Sequence, residues 1–366
     1  MLWLSKCIIS IINTGIYLRH KNSYDIIRFI AAGMVVLSHS FALTGHKEPY
    51  IGNVHIGAFG VWIFFILSGY LISASWHQYP RFNIFFAKRA LRIFPGLAVT
   101  ILLTILVCGL FFTSFSLISF FTNQSTFNYL SNILLFNTQY ALPGVFENNI
   151  YPNAVNGSLW TLAYEFTMYI AVALLGVYGL LNRKRVSIFW ALLIFAYLII
   201  TITGRNIFNL NIFYLQINIL STLAMLFFAG VIFQHYEKKI KLNFWLGLVS
   251  FGLFFGLATI FPKFSGLFAG TFLTYAIFAI GSRKELSWFG KIGDFSYGIY
   301  IYSFFIQQMI ANITHTSNPI KMFALSMAIS VVIASLSWHL VEKKALLIKS
   351  KINLKRYPLD QEKIAW

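Results

Sequence analysis

The sequence predicts an all-α integral membrane protein of about ten transmembrane helices, with both termini cytoplasmic. Three observations predict it. Of 366 residues, 58% are hydrophobic and only 10% are charged, with a mean hydropathy of +0.73. A soluble domain carries about 25% charged residues, so this chain cannot hide its apolar side chains in one water-soluble core. Apolar stretches near the roughly 20 residues needed to cross a bilayer recur along the chain. Basic residues gather in short clusters between those stretches, on alternate loops. The net charge of +18 therefore reads as membrane topology, with no nucleic-acid partner.

The elements follow in chain order. Residues 1–21 are apolar but short and are interrupted by Lys6. They lack a convincing small-x-small cleavage site. They read as an amphipathic interfacial segment, or as an upstream start that is not the natural one. The transmembrane domain is expected over 22–345 and a basic cytoplasmic tail over 346–366. Ten candidate spans lie near 25–44, 56–76, 94–114, 158–180, 187–204, 214–235, 243–261, 264–281, 295–313 and 320–341. Lys21 and Arg28 flank the start of the first. Arg81, Lys88, Arg89 and Arg92 follow the second, NRKR (182–185) the fourth, EKKIK (237–241) the sixth, SRKE (282–285) the eighth, and a basic run (342–356) the tenth. The opposite loops hold only Lys47, Arg205, Lys263 and Lys321. The positive-inside rule then puts both termini in the cytoplasm, which requires an even number of spans. The outside loop near 115–157 is long enough to be functional. No internal repeat is visible, and Cys7 and Cys108 offer neither a disulfide framework nor metal spacing.

Ionisable side chains inside a membrane are costly and mark function. Arg28 and His39 are eleven residues apart in RFIAAGMVVLSH, close to three helical turns, so they share a face. At 1.5 Å per residue they are separated by roughly 16 Å. Arg28 is then at the cytoplasmic edge and His39 past mid-membrane. In NGSLWTLAYEF (156–166), Asn156 to Ser158 are read as the outer end of the fourth span. Glu165 then lies roughly 10 Å below that interface, at the depth of His39, where it can orient the imidazole. In FFAKRALRIFPG, Arg89 and Arg92 are i, i+3 at the cytoplasmic boundary. With Lys88 they suit the capture of phosphate. Each group also has a bland alternative: a packed histidine, a structural ion pair, a lipid-headgroup anchor. Ser68–Gly69 suits close helix approach, and Tyr297 and Tyr300 read as interfacial tyrosines.

Taken together, these residues resemble the membrane-bound acyltransferase family 3, which includes O-acetyltransferases of bacterial surface polysaccharides. The resemblance covers about 22–345 and rests on five motifs in order: YDIIRFIAAGMVVLSHS, FGVWIFFILSGYLIS, Arg89-x-x-Arg92, GSLWTLAYEF and FSYGIYIYSF. It departs at Ser303, where many members carry histidine, and at Phe305, where they carry proline. The resemblance implies transfer of an acyl group from cytoplasmic acyl-CoA, expected to be acetyl-CoA, to a hydroxyl of a surface glycan or its lipid-linked precursor. It implies a multi-pass protein of the bacterial inner membrane, working alone or with partner polysaccharide-biosynthesis proteins. It makes His39 catalytic, as general base or acyl carrier, with Glu165 as the motif acid. It places Arg28, Arg89 and Arg92 at or near the donor. No metal is expected. The rival reading is a transporter or flippase for a glycolipid or polysaccharide precursor, against which stands the lack of an inverted repeat.

Overall fold

The computed structural model describes residues 22–347, apart from 136, 205–210, 213–214 and 286. The interfacial segment expected at 1–21, Arg205, and all but the first two residues of the expected tail lie outside the described residues. Ten helices occupy the ten expected stretches. They are α1 Tyr24–Leu43, α2 Ile56–Gln78, α3 Phe82–Phe111, α4 Trp160–Val177, α5 Arg183–Thr203, α6 Ile217–Tyr236, α7 Phe244–Ile260, α8 Pro262–Gly281, α9 Ser296–Thr314 and α10 Pro319–Leu347. Among the described residues, eight are long and apolar enough to cross a membrane. The other two are α7 and α9. Helix α7 is apolar but has only 17 residues. Helix α9 carries Ser296, Ser303, Gln307 and Gln308, all buried against protein. Its polarity faces the bundle interior, which is where a membrane protein tolerates it.

Helix α3 begins twelve residues before the expected span near 94. Its first turns are amphipathic, and the charges of Lys88, Arg89 and Arg92 mask them from a hydropathy reading. Pro95 sits within this helix, where it supplies no backbone donor.

Helix-end contacts collect the basic loops at one end of the bundle. His77 of α2 meets His235 of α6 at 3.2 Å, Arg183 Nε donates to the His235 carbonyl at 2.9 Å, and Ser23 Oγ donates to the Arg283 carbonyl at 2.6 Å. This is the basic end. The opposite end carries a small hairpin, β1 Tyr50–Ile51 paired antiparallel with β2 Val54–His55. Gly52 turns it with φ +61°, a left-handed conformation suited to glycine.

Helix α2 is the core of the bundle: 72% of its apolar window is buried, against 11% for α5 at the rim. Exposed Ile188, Leu192, Phe195, Ile199 and Ile202 run along α5, and exposed Leu325, Ile329, Val332, Leu336 and Leu340 along α10. Steps of three and four keep each set on one face. Continuous apolar stripes of this kind suit lipid, not water.

The loop between α3 and α4 packs over the hairpin end, with Phe120, Tyr129 and Phe146 fully buried. Its last segment then descends into the bundle. Gln308 Nε2 donates to the carbonyls of Tyr151 and Ala154, and Asn156 Nδ2 donates to the carbonyl of Ile301 at 2.8 Å. Ile301 precedes the end of α9 by thirteen residues, so roughly 20 Å of helix lies beyond it. Asn156 to Ser158 therefore do not mark an outer interface, and α4 starts deep inside the bundle. Irregular backbone at such depth is tolerated where protein surrounds it. Asn156 and Ser158 are buried accordingly.

Close crossings fix α2 against its neighbours. A Cβ at Gly69 would come 1.8 Å from the carbonyl oxygen of Phe227, and one at Gly230 would come 2.0 Å from that of Ile66. The two backbones touch, as small residues permit. Gly69→Ala is expected to lower the melting temperature of the detergent-solubilised protein, at a cost of about 1–3 kcal/mol or more from overpacking. Gly252→Ala, where a Cβ meets nothing within 4 Å, is expected to leave melting unchanged or raise it. Equal melting of the two variants would contradict this crossing.

Candidate active site

The basic end holds a buried four-ion cluster. Arg28 of α1 donates to Asp294 Oδ2 at 2.7 Å, and Arg92 of α3 donates to the same oxygen at 2.6 Å. Arg92 also reaches Glu342 Oε2 at 3.4 Å. A π-helical turn in α10, Trp338–Glu342, brings both Glu342 and Trp338 toward Arg92. The Arg92 guanidinium lies 5.6 Å from the Trp338 ring and 5.4 Å from that of Tyr297. Ser296 Oγ completes the shell by donating to Asp294 Oδ1 at 2.7 Å. The Asp294 side chain is only 3% exposed. Charges buried to this degree persist only when paired.

This arrangement changes the expected use of the arginines. Arg28 and Arg92 do converge, but on Asp294 and Glu342 of this chain. As ions the four sum to zero. Net positive charge at this end then comes from the basic loops that follow α4, α6 and α8. Lys88 is itself buried, with Nζ 3.4 Å from the centre of the Tyr79 ring, so it does not join the arginines as expected. Arg89 lies about 6 Å from the rings of Phe85 and Tyr169. Tyr297 and Tyr300 are buried, not interfacial.

Above this cluster lies Glu165. Its Oε1 accepts from Ser68 Oγ at 2.9 Å and from Tyr169 OH at 2.5 Å. The expected Glu165–His39 pair is not formed among the described residues. The descending segment before α4 is the reason: it lowers Glu165 toward the basic end, away from the depth of His39. Thr161 Oγ1 and Tyr300 OH, 2.5 Å apart, occupy the next level.

His39 lies beyond them, toward the hairpin end. Its ring stands edge-on to Phe304 at 5.0 Å. Its Nδ1 is buried with no hydrogen-bond partner among the described residues. The neighbouring Ser40 accepts from Gln307 Nε2 at 2.7 Å, which ties this part of α1 to α9. The His39 ring lines two cavities, of about 850 and 550 Å³. Both fall within the usual size of ligand pockets, about 300–1,000 Å³. With Nδ1 sealed, Nε2 is the nitrogen available to a ligand.

Glu48 is the residue that sequence reasoning missed. It follows α1 in the short loop before the hairpin and lines both cavities with His39. Ser38 Oγ hydrogen-bonds its carboxylate, and His55 Nδ1 is 3.9 Å from the same oxygen. The signal was its rarity: it is one of ten acids in the chain and stands nine residues from His39. It lies in a loop, outside the spans where an acid stands out. No group of three or more metal-ligating side chains occurs among the described residues.

A family model described as an acyltransferase domain matches residues 21–339. An O-acetyl transferase of Shigella phage Sf6 is 32% identical over 343 residues, covering 89% of this chain and 97% of that protein. Nodulation protein 10 of Rhizobium leguminosarum bv. viciae is 30% identical over 174 residues, covering 43% of this chain and 44% of that protein. No solved structure matches the chain.

Removing Asp294 would leave two guanidiniums together without their shared partner. Asp294→Asn is expected to destabilise the protein strongly, since breaking a buried pair costs about 3–5 kcal/mol. Glu285→Gln, at the exposed Arg283–Glu285 pair, is expected to leave stability unchanged. Thermal melts of the two variants in one detergent check the difference.

Proposed function

The chain belongs to the acyltransferase family whose model spans it, and from that premise we propose an integral-membrane O-acetyltransferase. It moves an acetyl group from cytoplasmic acetyl-CoA to a hydroxyl of a cell-surface polysaccharide or its lipid-linked precursor. The observation that carries this reading is the position of His39. Its ring lines two cavities at the end of the bundle opposite the basic loops.

The positive-inside rule orients the molecule. The basic end faces the cytoplasm of a bacterium, both termini lie there, and the cavity end faces outward across the inner membrane. All ten helices cross in this reading, α7 and α9 included. The phosphates of the donor belong at the basic end. Arg89 is assigned to them, since a guanidinium suits bidentate capture of phosphate. Arg28 and Arg92, held by Asp294 and Glu342, shape that end. Glu165 is a positioning residue: through Ser68 and Tyr169 it fixes α2 against α4 along the line from donor to acceptor.

At His39 the acceptor hydroxyl gives its proton to Nε2 as its oxygen attacks the thioester carbonyl. A carbon–oxygen bond forms and the carbon–sulfur bond breaks. The departing thiolate takes the proton back from the imidazole, which regenerates His39 and releases CoA. Each atom and charge is accounted for without a further reactant.

His39→Ala is expected to abolish transfer while leaving the protein in the membrane. The check is a deletion strain complemented with wild type or variant at equal abundance, with base-labile O-acetyl groups on surface polysaccharide read by NMR. Acetylation restored by His39→Ala would sink the assignment. Arg89→Ala is expected to raise the KM for acetyl-CoA severalfold, measured as CoA release by purified protein. An unchanged KM would remove Arg89 from the donor site.

A further inference from the structure

We propose that Glu48 binds the acceptor glycan, and that this glycan is a chain of at least two sugars lying across both cavities. The inference rests on the acetyl-transfer reading above and adds the acceptor's binding residue and minimum length.

Three residues line both cavities: His39, Glu48 and Trp160. A ligand that fills both must pass over these three. Their chemistry suits a sugar. A carboxylate accepts hydrogen bonds from hydroxyls, and such charge-assisted bonds are the stronger ones. An indole offers an apolar face to ring C–H groups. The imidazole stands where the hydroxyl would react.

The orientation of Glu48 supports the assignment. The contacts from Ser38 and His55 both fall on Oε2. Oε1 is left to accept from a ligand, and the side chain is 31% exposed. The carboxylate is thus anchored by one oxygen and offered by the other. Gly57 makes room for the anchor, since a Cβ there would come 2.7 Å from both Cβ and Oγ of Ser38. Ser38 adjoins His39 on α1, so the anchor of Glu48 and the reacting imidazole share one turn of helix. A single sugar needs only one of the two cavities. Two cavities meeting at the reacting group fit a chain acylated with sugar units on either side.

The test uses purified full-length protein and radiolabelled acetyl-CoA. The acceptors are the host's surface polysaccharide, stripped of O-acetyl groups by mild base, and its mono-, di- and tetrasaccharide fragments. The wild type is expected to favour the di- and tetrasaccharides over the monosaccharide by about tenfold or more in kcat/KM. E48Q is expected to raise the KM for the tetrasaccharide about tenfold, the loss of one hydrogen bond to a charged group. Its KM for acetyl-CoA should match the wild type. A second variant, A154L, narrows only the smaller cavity. It is expected to raise the KM for tetrasaccharide and to spare the monosaccharide, which keeps the inference open to refutation if E48Q fails to fold. An unchanged acceptor KM in E48Q, or equal use of mono- and tetrasaccharide by the wild type, overturns the inference. A wild type that acetylates no fragment, yet is folded and binds acetyl-CoA, overturns instead the glycan reading on which it rests.

Discussion

Two arginines pressed into one buried corner repel each other and lose their water, and Asp294 removes both penalties with one oxygen. It accepts from Arg28 at 2.7 Å and from Arg92 at 2.6 Å. Much of the structure depends on this carboxylate. It joins α1 to α3 through the turn that begins α9, and Glu342 extends the junction to α10. The first and third helices are thereby fixed to the last two at the same end. Replacing such a cluster with hydrocarbon often costs nothing, whereas removing one member costs a great deal. Its presence sets the register of α1, and with it the position of His39 eleven residues along.

From that junction polar groups rise in levels through the bundle. Tyr297 donates to the Ile93 carbonyl at 2.7 Å, Tyr169 and Ser68 hold Glu165, and Thr161 meets Tyr300. His39 comes next, beside Phe304. Gln307 then donates to Ser40 and to the Val36 carbonyl, while Gln308 takes the descending loop. Helix α9 contributes at almost every level. Its polar residues fail a hydropathy test because the helix serves as the inner wall and not as a lipid-facing one. The glycines of α2 belong to the same design. Gly60 lets α1 approach to where a Cβ would lie 2.5 Å from the Ala31 carbonyl oxygen, and Gly69 does the same for α6.

The order and placement of the helices were legible because two independent signals agree: apolar length and the side on which basic residues fall. The starts of α3 and α4 were not. In α3 the arginines interrupt the hydropathy of a helix that continues through them. In α4 a polar run reads as an exit from the membrane, yet Asn156 bonds Ile301 well inside the bundle. The error in depth carries over to Glu165, which lies below the level of His39 and bonds Ser68 and Tyr169 instead. Asp294 and Glu342 illustrate another limit. Spacing along one helix shows which side chains share a face, but not which acid, hundreds of residues away, will meet an arginine. Glu48 was hidden for the opposite reason, since a charged residue in a short loop is ordinarily unremarkable.

With Glu165 committed to Ser68 and Tyr169, His39 has no carboxylate orienting it among the described residues. Its ring is placed by sterics: by Phe304 edge-on and by the helix register that Asp294 and Gln307 impose on either side. Buried polar atoms without partners are uncommon in native proteins and invite a functional explanation. Nδ1 of His39 is such an atom, whereas Nε2, the nitrogen left to a ligand, carries no protein partner among the described residues that a ligand would have to displace. Holding the ring by packing alone leaves its cavity-facing nitrogen for a ligand. The nearby acid is moved instead to the cavity wall, where Glu48 can meet a ligand.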